Sequence, residues 1–205
     1  MNKKTPLYFY HLVNKEVNLS KGIVSLQYMY NHKMDEEFDK NVLKYEKRIR
    51  EDWNLTEFKK KENLTRKDYL DGLKEFRGVN GANYIYFFRF PPFKKLGAKI
   101  KALSEYKDIY RINIKDEALK KQIEEIFWGY HLSRSDNQEL DETYYEQIDM
   151  TTYFKNYNDQ LEMNFSTLNH IAIAFKKGYC PSSYLEKINW PETLEDIKKI
   201  EGVEE

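Results

Sequence analysis

The stretch Asn83–Phe90, N-Y-I-Y-F-F-R-F, constrains this chain more than any other. It is the densest aromatic and β-branched run in the sequence, and Pro91-Pro92 ends it abruptly. Tyr, Ile and Phe suit a pleated, packed surface better than a helix surface. Apolar side chains fall on both parities of the run, which predicts a strand covered on both faces. We therefore expect a central strand on which helices pack, in an α+β fold with a small mixed or antiparallel sheet and flanking helices.

The chain has 205 residues, enough to bury a core without staples, and is expected to form a single α+β domain over 1–205. Its 34 basic and 34 acidic residues cancel. That balance argues against a protein built chiefly to grip nucleic acid or an anionic membrane. Cys180 is the lone cysteine, so no intramolecular disulfide can form and a reducing compartment fits. Met1-Asn2-Lys3-Lys4 leads into no apolar signal core, and no apolar run reaches a membrane-spanning length. The expected location is the cytoplasm.

Along the chain, Leu7–Val13 is a strand candidate with His11 inside it. Asn18–Gly22 is a polar turn. Ile23–Leu26 reads as a short strand, or Ser25 caps a helix through Tyr30. From Met34 the pattern is helical, with Phe38, Val42, Tyr45, Ile49 and Trp53 on one stripe. Thr65 and Asp68 form a variant capping box for a second helix with Tyr69, Leu73 and Phe76 inward. Together these predict a helical insertion at about 34–77. A helix carrying Leu96, Ile100 and Leu103 follows the prolines. Asp108–Ile114 alternates as a half-buried strand. Asp116 is expected to cap a helix bearing Leu119, Ile123 and Ile126; Trp128–His131 follows, then the polar run Ser133–Asn137, an expected exposed loop. Short helices are expected around Glu142–Ile148, Thr152–Tyr157 and after Pro181 (Tyr184, Leu185, Ile188). Leu168–Phe175 is the last strong strand, its Ala172 and Ala174 making a small-residue face. An amphipathic segment runs from Pro191 to Ile200.

The standard catalytic signatures do not occur: there is no Gly-rich phosphate loop, no H-E-x-x-H, no paired cysteines and no G-x-S-x-G. The four histidines, His11, His32, His131 and His170, lack metal-ligand spacing, so no metal is expected. Cys180 precedes Pro181 and a short helix that would lower a thiol pKa, but a lone cysteine is more often a small buried hydrophobe. His11 and His170 lie on apolar strands, where ring nitrogens must find partners. Either is expected to be a satisfied core or edge histidine, unless His11 projects into a cleft.

Several of these pieces resemble a known family. Tyr10-His11 on the first strand, Gly22-Ile23 after a turn, the aromatic strand Tyr84-Ile85-Tyr86-Phe87-Phe88 and a late strand preceded by Phe165-Ser166-Thr167 are similar to the ADP-ribosyltransferase fold of the diphtheria-toxin and DNA-modifying toxin type. The resemblance covers about 25 residues with unspecific motifs. It implies NAD as cofactor, His11 holding its ribose and Tyr86, or Tyr84 on the same parity, stacking on nicotinamide. It implies that Tyr10, Tyr84, Ser166 and Thr167 help to form the pocket. The chemistry suits these residue types: imidazole bonds a hydroxyl, and an aromatic face clamps a planar ring. The family also places a glutamate on the late strand, where it stabilises the oxocarbenium-like transition state. Leu168–Phe175 contains no acid, and Glu162 and Glu186 lie outside the strand; the family's Arg-Ser-Glu subgroup has a Ser-Thr-Ser element supporting the pocket, which Ser166-Thr167 resembles, with Leu168 in place of its third residue.

Two functions follow as expectations. The first is an NAD- or nucleotide-binding ADP-ribosyltransferase-like protein, active or degenerate. The second is a non-catalytic module that meets a protein partner through a Tyr-rich surface, given 17 Tyr and 12 Phe. Nucleic acid comes third, on Lys59–Lys61 and Lys94-Lys95.

Overall fold

A computed structural model describes residues 8–14, 17–42, 63–77, 81–88, 91, 106–132, 142–147 and 170–201. The fold is α+β. Among the described residues a seven-stranded sheet has the order β6-β5-β7-β3-β1-β4-β9, and a two-stranded ribbon pairs β2 with β8. The strands are β1 (Tyr8–Asn14), β2 (Gly22–Val24), β3 (Tyr84–Phe88), β4 (Tyr106–Asn113), β5 (Ile123–Leu132), β6 (Glu142–Gln147), β7 (His170–Phe175), β8 (Tyr179–Pro181) and β9 (Glu186–Ile188). Every paired neighbour is antiparallel.

The aromatic stretch occupies the fourth of the seven places, with β7 on one side and β1 on the other. Both of its faces are covered, as its sequence predicts. On one face Ile85 and Phe87 join Phe9, Ile112, Ile114, Ile171, Ile173, Phe175 and Ile126 in the largest buried cluster. On the other, Tyr84 packs with Ala172 and Ala174, beside Tyr86 and Phe127. Tyr10, Leu12 and Ile109 continue that second face toward β4.

The β2–β8 ribbon lies over the first face. Ile23 and its partner Cys180 enter the main cluster, together with Leu119. The next residue, Val24, turns away and packs against a helical cluster of Met29, Phe38, Val42, Tyr69, Leu70, Leu73 and Ala82. Both readings of the Ile23–Leu26 segment hold at once. The strand ends at Val24, and Ser25 Oγ accepts from the Tyr28 amide at 3.1 Å to cap the helix Leu26–Asn31.

The expected helical insertion is present where it is described. Residues 35–42 are helical with Phe38 and Val42 buried, and the helix Arg66–Arg77 buries Tyr69, Leu70 and Leu73. Arg66 fastens one to the other by two bonds to Asp39 at 2.6 and 2.7 Å and an ion pair to Asp35 at 3.1 Å. The Thr65–Asp68 capping box forms, with Asp68 Oδ2 accepting from the Thr65 amide at 2.8 Å. Tyr45, Ile49, Trp53, the helix at Leu96–Leu103 and the segment Thr152–Tyr157 lie outside the described residues.

Four expectations are corrected. Asp116 does cap a helix, accepting from Ala118 and Leu119 amides, but the helix spans only Glu117–Lys120. Ile123 and Ile126 belong to β5, which runs to Leu132, while the expected loop Ser133–Asn137 lies outside the described residues. The reason is a bulge: Ile123 pairs with Phe175 and Glu125 with Ala174, so β5 advances two residues where β7 advances one. The extra residue puts Ile123 and Ile126 on one face at a helix-like spacing. Second, Glu142–Gln147 is a strand, not a helix; Thr143, Tyr144 and Tyr145 favour the β region, and β5 offers them a ladder. Third, after Pro181 a single 3₁₀ turn, Ser182–Tyr184, gives way to β9 at Glu186–Ile188. Fourth, β4 is not half-buried: Ile109 is buried on one face and Ile112 on the other. The amphipathic C-terminal segment forms the helix Leu194–Glu201, with Thr193 and Asp196 exchanging cap bonds at 3.0 and 3.1 Å.

Gly22 is where the ribbon meets the chain that follows it. Its φ is +103°, and a Cβ there would run into the Cys180 carbonyl oxygen across the pair. Gly22→Ala is expected to destabilise the protein by about 2 kcal/mol or more, read as a lowered urea midpoint. Gly178→Ala, at φ +74°, meets side-chain atoms and no backbone, Tyr28 at 3.2 Å and Ser25 Oγ at 3.6 Å, and should lower the midpoint less.

Candidate functional site

Strand parity decides which of the candidate residues can share a ligand. His11 lies opposite Tyr110 on β4, and its ring centroid is 5.5 Å from that of Phe87 on β3. It therefore projects from the first face, at the margin of the main core. Tyr84 and Tyr86 alternate with Ile85 and Phe87 and project from the second face. The structure does bring β1 and β3 together, with Tyr10 opposite Phe88. Yet what His11 meets of Tyr86 is its main chain: Nδ1 is 2.7 Å from the Tyr86 carbonyl oxygen. A carbonyl only accepts, so Nδ1 carries the proton that this bond uses.

The other candidates fall as follows. Tyr10 is fully buried on the second face, packed with Leu12 and Ile109. Tyr84 is also buried there, and Tyr86 donates its hydroxyl to the Gly81 carbonyl at 3.2 Å. Ser166 and Thr167 lie outside the described residues. His11 and the tyrosine pair thus stand on opposite sides of one sheet. The aromatic residue that shares His11's face and row is Tyr110. Neither strand alone reveals this, because only the register between them tells which parities coincide.

On the second face, Tyr84, Ala174 and Glu125 form one row across β3, β7 and β5. The alanine leaves the space above it open to the phenol, which donates to Glu125 Oε2 at 2.6 Å. Phe127 closes against the Tyr84 ring edge-on at 5.3 Å. Burial, then the bond to the Glu125 carboxylate, raises the Tyr84 pKa well above that of an ordinary phenol.

On the first face the row is polar at its outer end. His11 pairs with Tyr110, and Tyr110 with Lys187 on β9. Lys187 Nζ lies 2.9 Å from Asp108 Oδ1, whose residue sits two places from Tyr110 on the same side of β4. On the second face of the same edge, Arg111 bonds both oxygens of Glu186 at 2.8 Å and donates to the Ile200 carbonyl at 2.7 Å. Its guanidinium also lies 3.8 Å from the centroid of the Tyr8 ring. That clamp ties β9 and the C-terminal helix to β4 and keeps the row in register.

Cys180 is fully buried, and burial pushes its thiol up to about 12. That is a small core hydrophobe, not a nucleophile. Among the described residues, no three His, Cys, Asp or Glu side chains converge at a metal-binding spacing, and no helix is long and apolar enough to cross a membrane.

Two outcomes follow from these environments. Native protein at neutral pH should leave Cys180 unlabelled by iodoacetamide, with labelling appearing only across the urea transition. Tyr84 has its raised pKa in the folded state, so its contribution is complete below about pH 10 and is lost as pH climbs toward the folded value. Tyr84→Phe should lower stability at pH 8 by about 1 kcal/mol and flatten the loss of stability above pH 10, followed by urea titrations across that range. No protein family, no curated protein and no solved structure matches the chain.

Proposed function

We propose that the chain is an NAD- or nucleotide-binding protein of the ADP-ribosyltransferase-like type, binding its ligand beside His11 on the first face of the sheet. The observation that carries this reading is the bond from His11 Nδ1 to the Tyr86 carbonyl, which joins the two strands on which the resemblance rests. The bond holds the imidazole in one orientation at the seam of the two strands, where a ribose hydroxyl would meet the ring in the complex. Tyr110 replaces Tyr86 as the aromatic wall, because it stands in His11's own row. Tyr86 keeps a structural part, as the source of the carbonyl and as packing above Ala172.

Binding is the proposed activity, and turnover is not. Departure of nicotinamide calls for a carboxylate beside the developing positive charge. The described part of the late strand, His170–Phe175, supplies none, and Glu125 is engaged with Tyr84 on the opposite face. The competing role of protein-partner module receives less support. Of the large hydrophobic side chains among the described residues, only Val17 and Tyr30 are exposed, at 50% and 38%. A cytoplasmic location accords with the lone reduced cysteine and with a soluble nucleotide as ligand.

Ligand binding to the native state must raise its melting temperature. Millimolar NAD is expected to raise the Tm of the wild-type protein by several degrees, and the shift should vanish in His11→Ala. An unchanged wild-type Tm across the NAD series refutes the reading.

A further inference from the structure

The row that begins at His11 has a third member, and its chemistry suggests what else the ligand carries. His11, Tyr110 and Lys187 are direct register partners across β1, β4 and β9, so an imidazole, a phenol and an ammonium project from one face in a line. Neighbouring strands lie about 4.8 Å apart, which sets the first and last members roughly 10 Å from each other at the backbone. Polarity and exposure rise along the line. Phe87, inside of His11, is fully buried, His11 is part-buried, and the Lys187 side chain is 56% exposed.

We propose that Lys187 is the phosphate-holding cation of the nucleotide site, and that Asp108 occupies it until a phosphate arrives. The inference rests on the nucleotide reading and adds the ligand's charged half. With the ribose at His11 and the ring system along Tyr110, the diphosphate of an extended dinucleotide reaches the outer end of the row. Lys187 is suited to this exchange. Its ammonium is a compact charge with three donors on a flexible stem, and it holds a carboxylate that is itself only partly exposed, at 24%. The hydrogen bond to Asp108 raises its pKa, so it stays charged throughout the neutral range. Arg111, a second cation of this edge, faces the opposite side and is committed to Glu186 and Ile200.

Isothermal titration of the full chain with NAD and with nicotinamide riboside, which lacks the diphosphate, tests the assignment. Lys187→Ala is expected to weaken NAD about tenfold, the loss of one charge-assisted contact, while leaving nicotinamide riboside unchanged. The wild-type NAD affinity should fall with added NaCl more steeply than that of the variant. Asp108→Asn separates the site from the fold. It breaks the same ion pair but frees the lysine, so NAD should bind as tightly as to wild type or more tightly. If Asp108→Asn weakens NAD as much as Lys187→Ala does, the pair is merely structural and the inference fails. If wild type binds NAD and Lys187→Ala binds it equally well, the inference fails while the nucleotide reading stands. If wild type binds neither compound, both fall together.

Discussion

The pairing of β3 with β7 is the constraint from which the rest of the architecture follows. Its register sets large against large on one face, with Ile85 opposite Ile173 and Phe87 opposite Ile171. On the other face it sets large against small, with Tyr84 opposite Ala174 and Tyr86 opposite Ala172. A slip of one residue would bring every tyrosine onto the aliphatic face and strip the alanine row of its cover. The tyrosines need that row, because the methyl groups leave the room that Tyr84 uses to reach Glu125. The aliphatic face in turn accepts the β2–β8 ribbon through Ile23 and Cys180. The ribbon passes the load outward, since Val24 joins the helical cluster one residue after Ile23 joins the sheet.

The contact between β1 and β3 is of a different kind. Tyr10 pairs with Phe88, and along the same margin the Tyr86 carbonyl accepts from the His11 imidazole. A side chain there performs part of the work of a ladder. The expectation that His11 is a satisfied edge histidine and the proposal that it holds a ligand are therefore compatible. A ring held by a bond at Nδ1 has a set orientation, which is what a binding group requires.

How much of this was legible in the chain depended on whether the pattern of a segment was its own or imposed by a partner. Asn83–Phe90 declared itself, because burial on both faces writes a continuous apolar run. The helical insertion was equally plain, since Phe38, Val42, Tyr69 and Leu73 repeat at helical steps and Thr65–Asp68 is a local cap. The segment after Asp116 misled for a physical reason. Leu119, Ile123 and Ile126 fall at four- and three-residue spacing, and a bulge opposite β7 produces that spacing within a strand. No local pattern distinguishes a bulged strand from a helix at such a spacing. β6 was similarly hidden: its charged, Tyr-containing sequence becomes a strand by completing the β5 ladder. Of the candidate site, His11 was legible as a polar residue on an apolar strand. Tyr110 and Lys187 were not, because their relation to His11 exists only in the register of three strands.

That relation also explains why a functional row would sit where it does. In the middle of the sheet both faces are filled, and a polar group there must be consumed by a neighbour, as Tyr84 is by Glu125. Toward β9 the cover thins, because the edge strand is three residues long and follows a single 3₁₀ turn. A short edge strand limits pairing with other chains. Here it also lets Lys187 stand in water while its neighbour Tyr110 remains in the sheet. The Arg111 clamp on the reverse side makes this arrangement durable, since Glu186 and the last helix cannot shift without releasing the guanidinium. One face of β4 and β9 is thus locked by ion pairing, and the other is held by an exposed pair that a competing anion can open. The difference between these two cations lies in their surroundings: the Arg111 side chain is 15% exposed and bonded to Glu186 and Ile200, whereas Lys187 is 56% exposed and paired with Asp108.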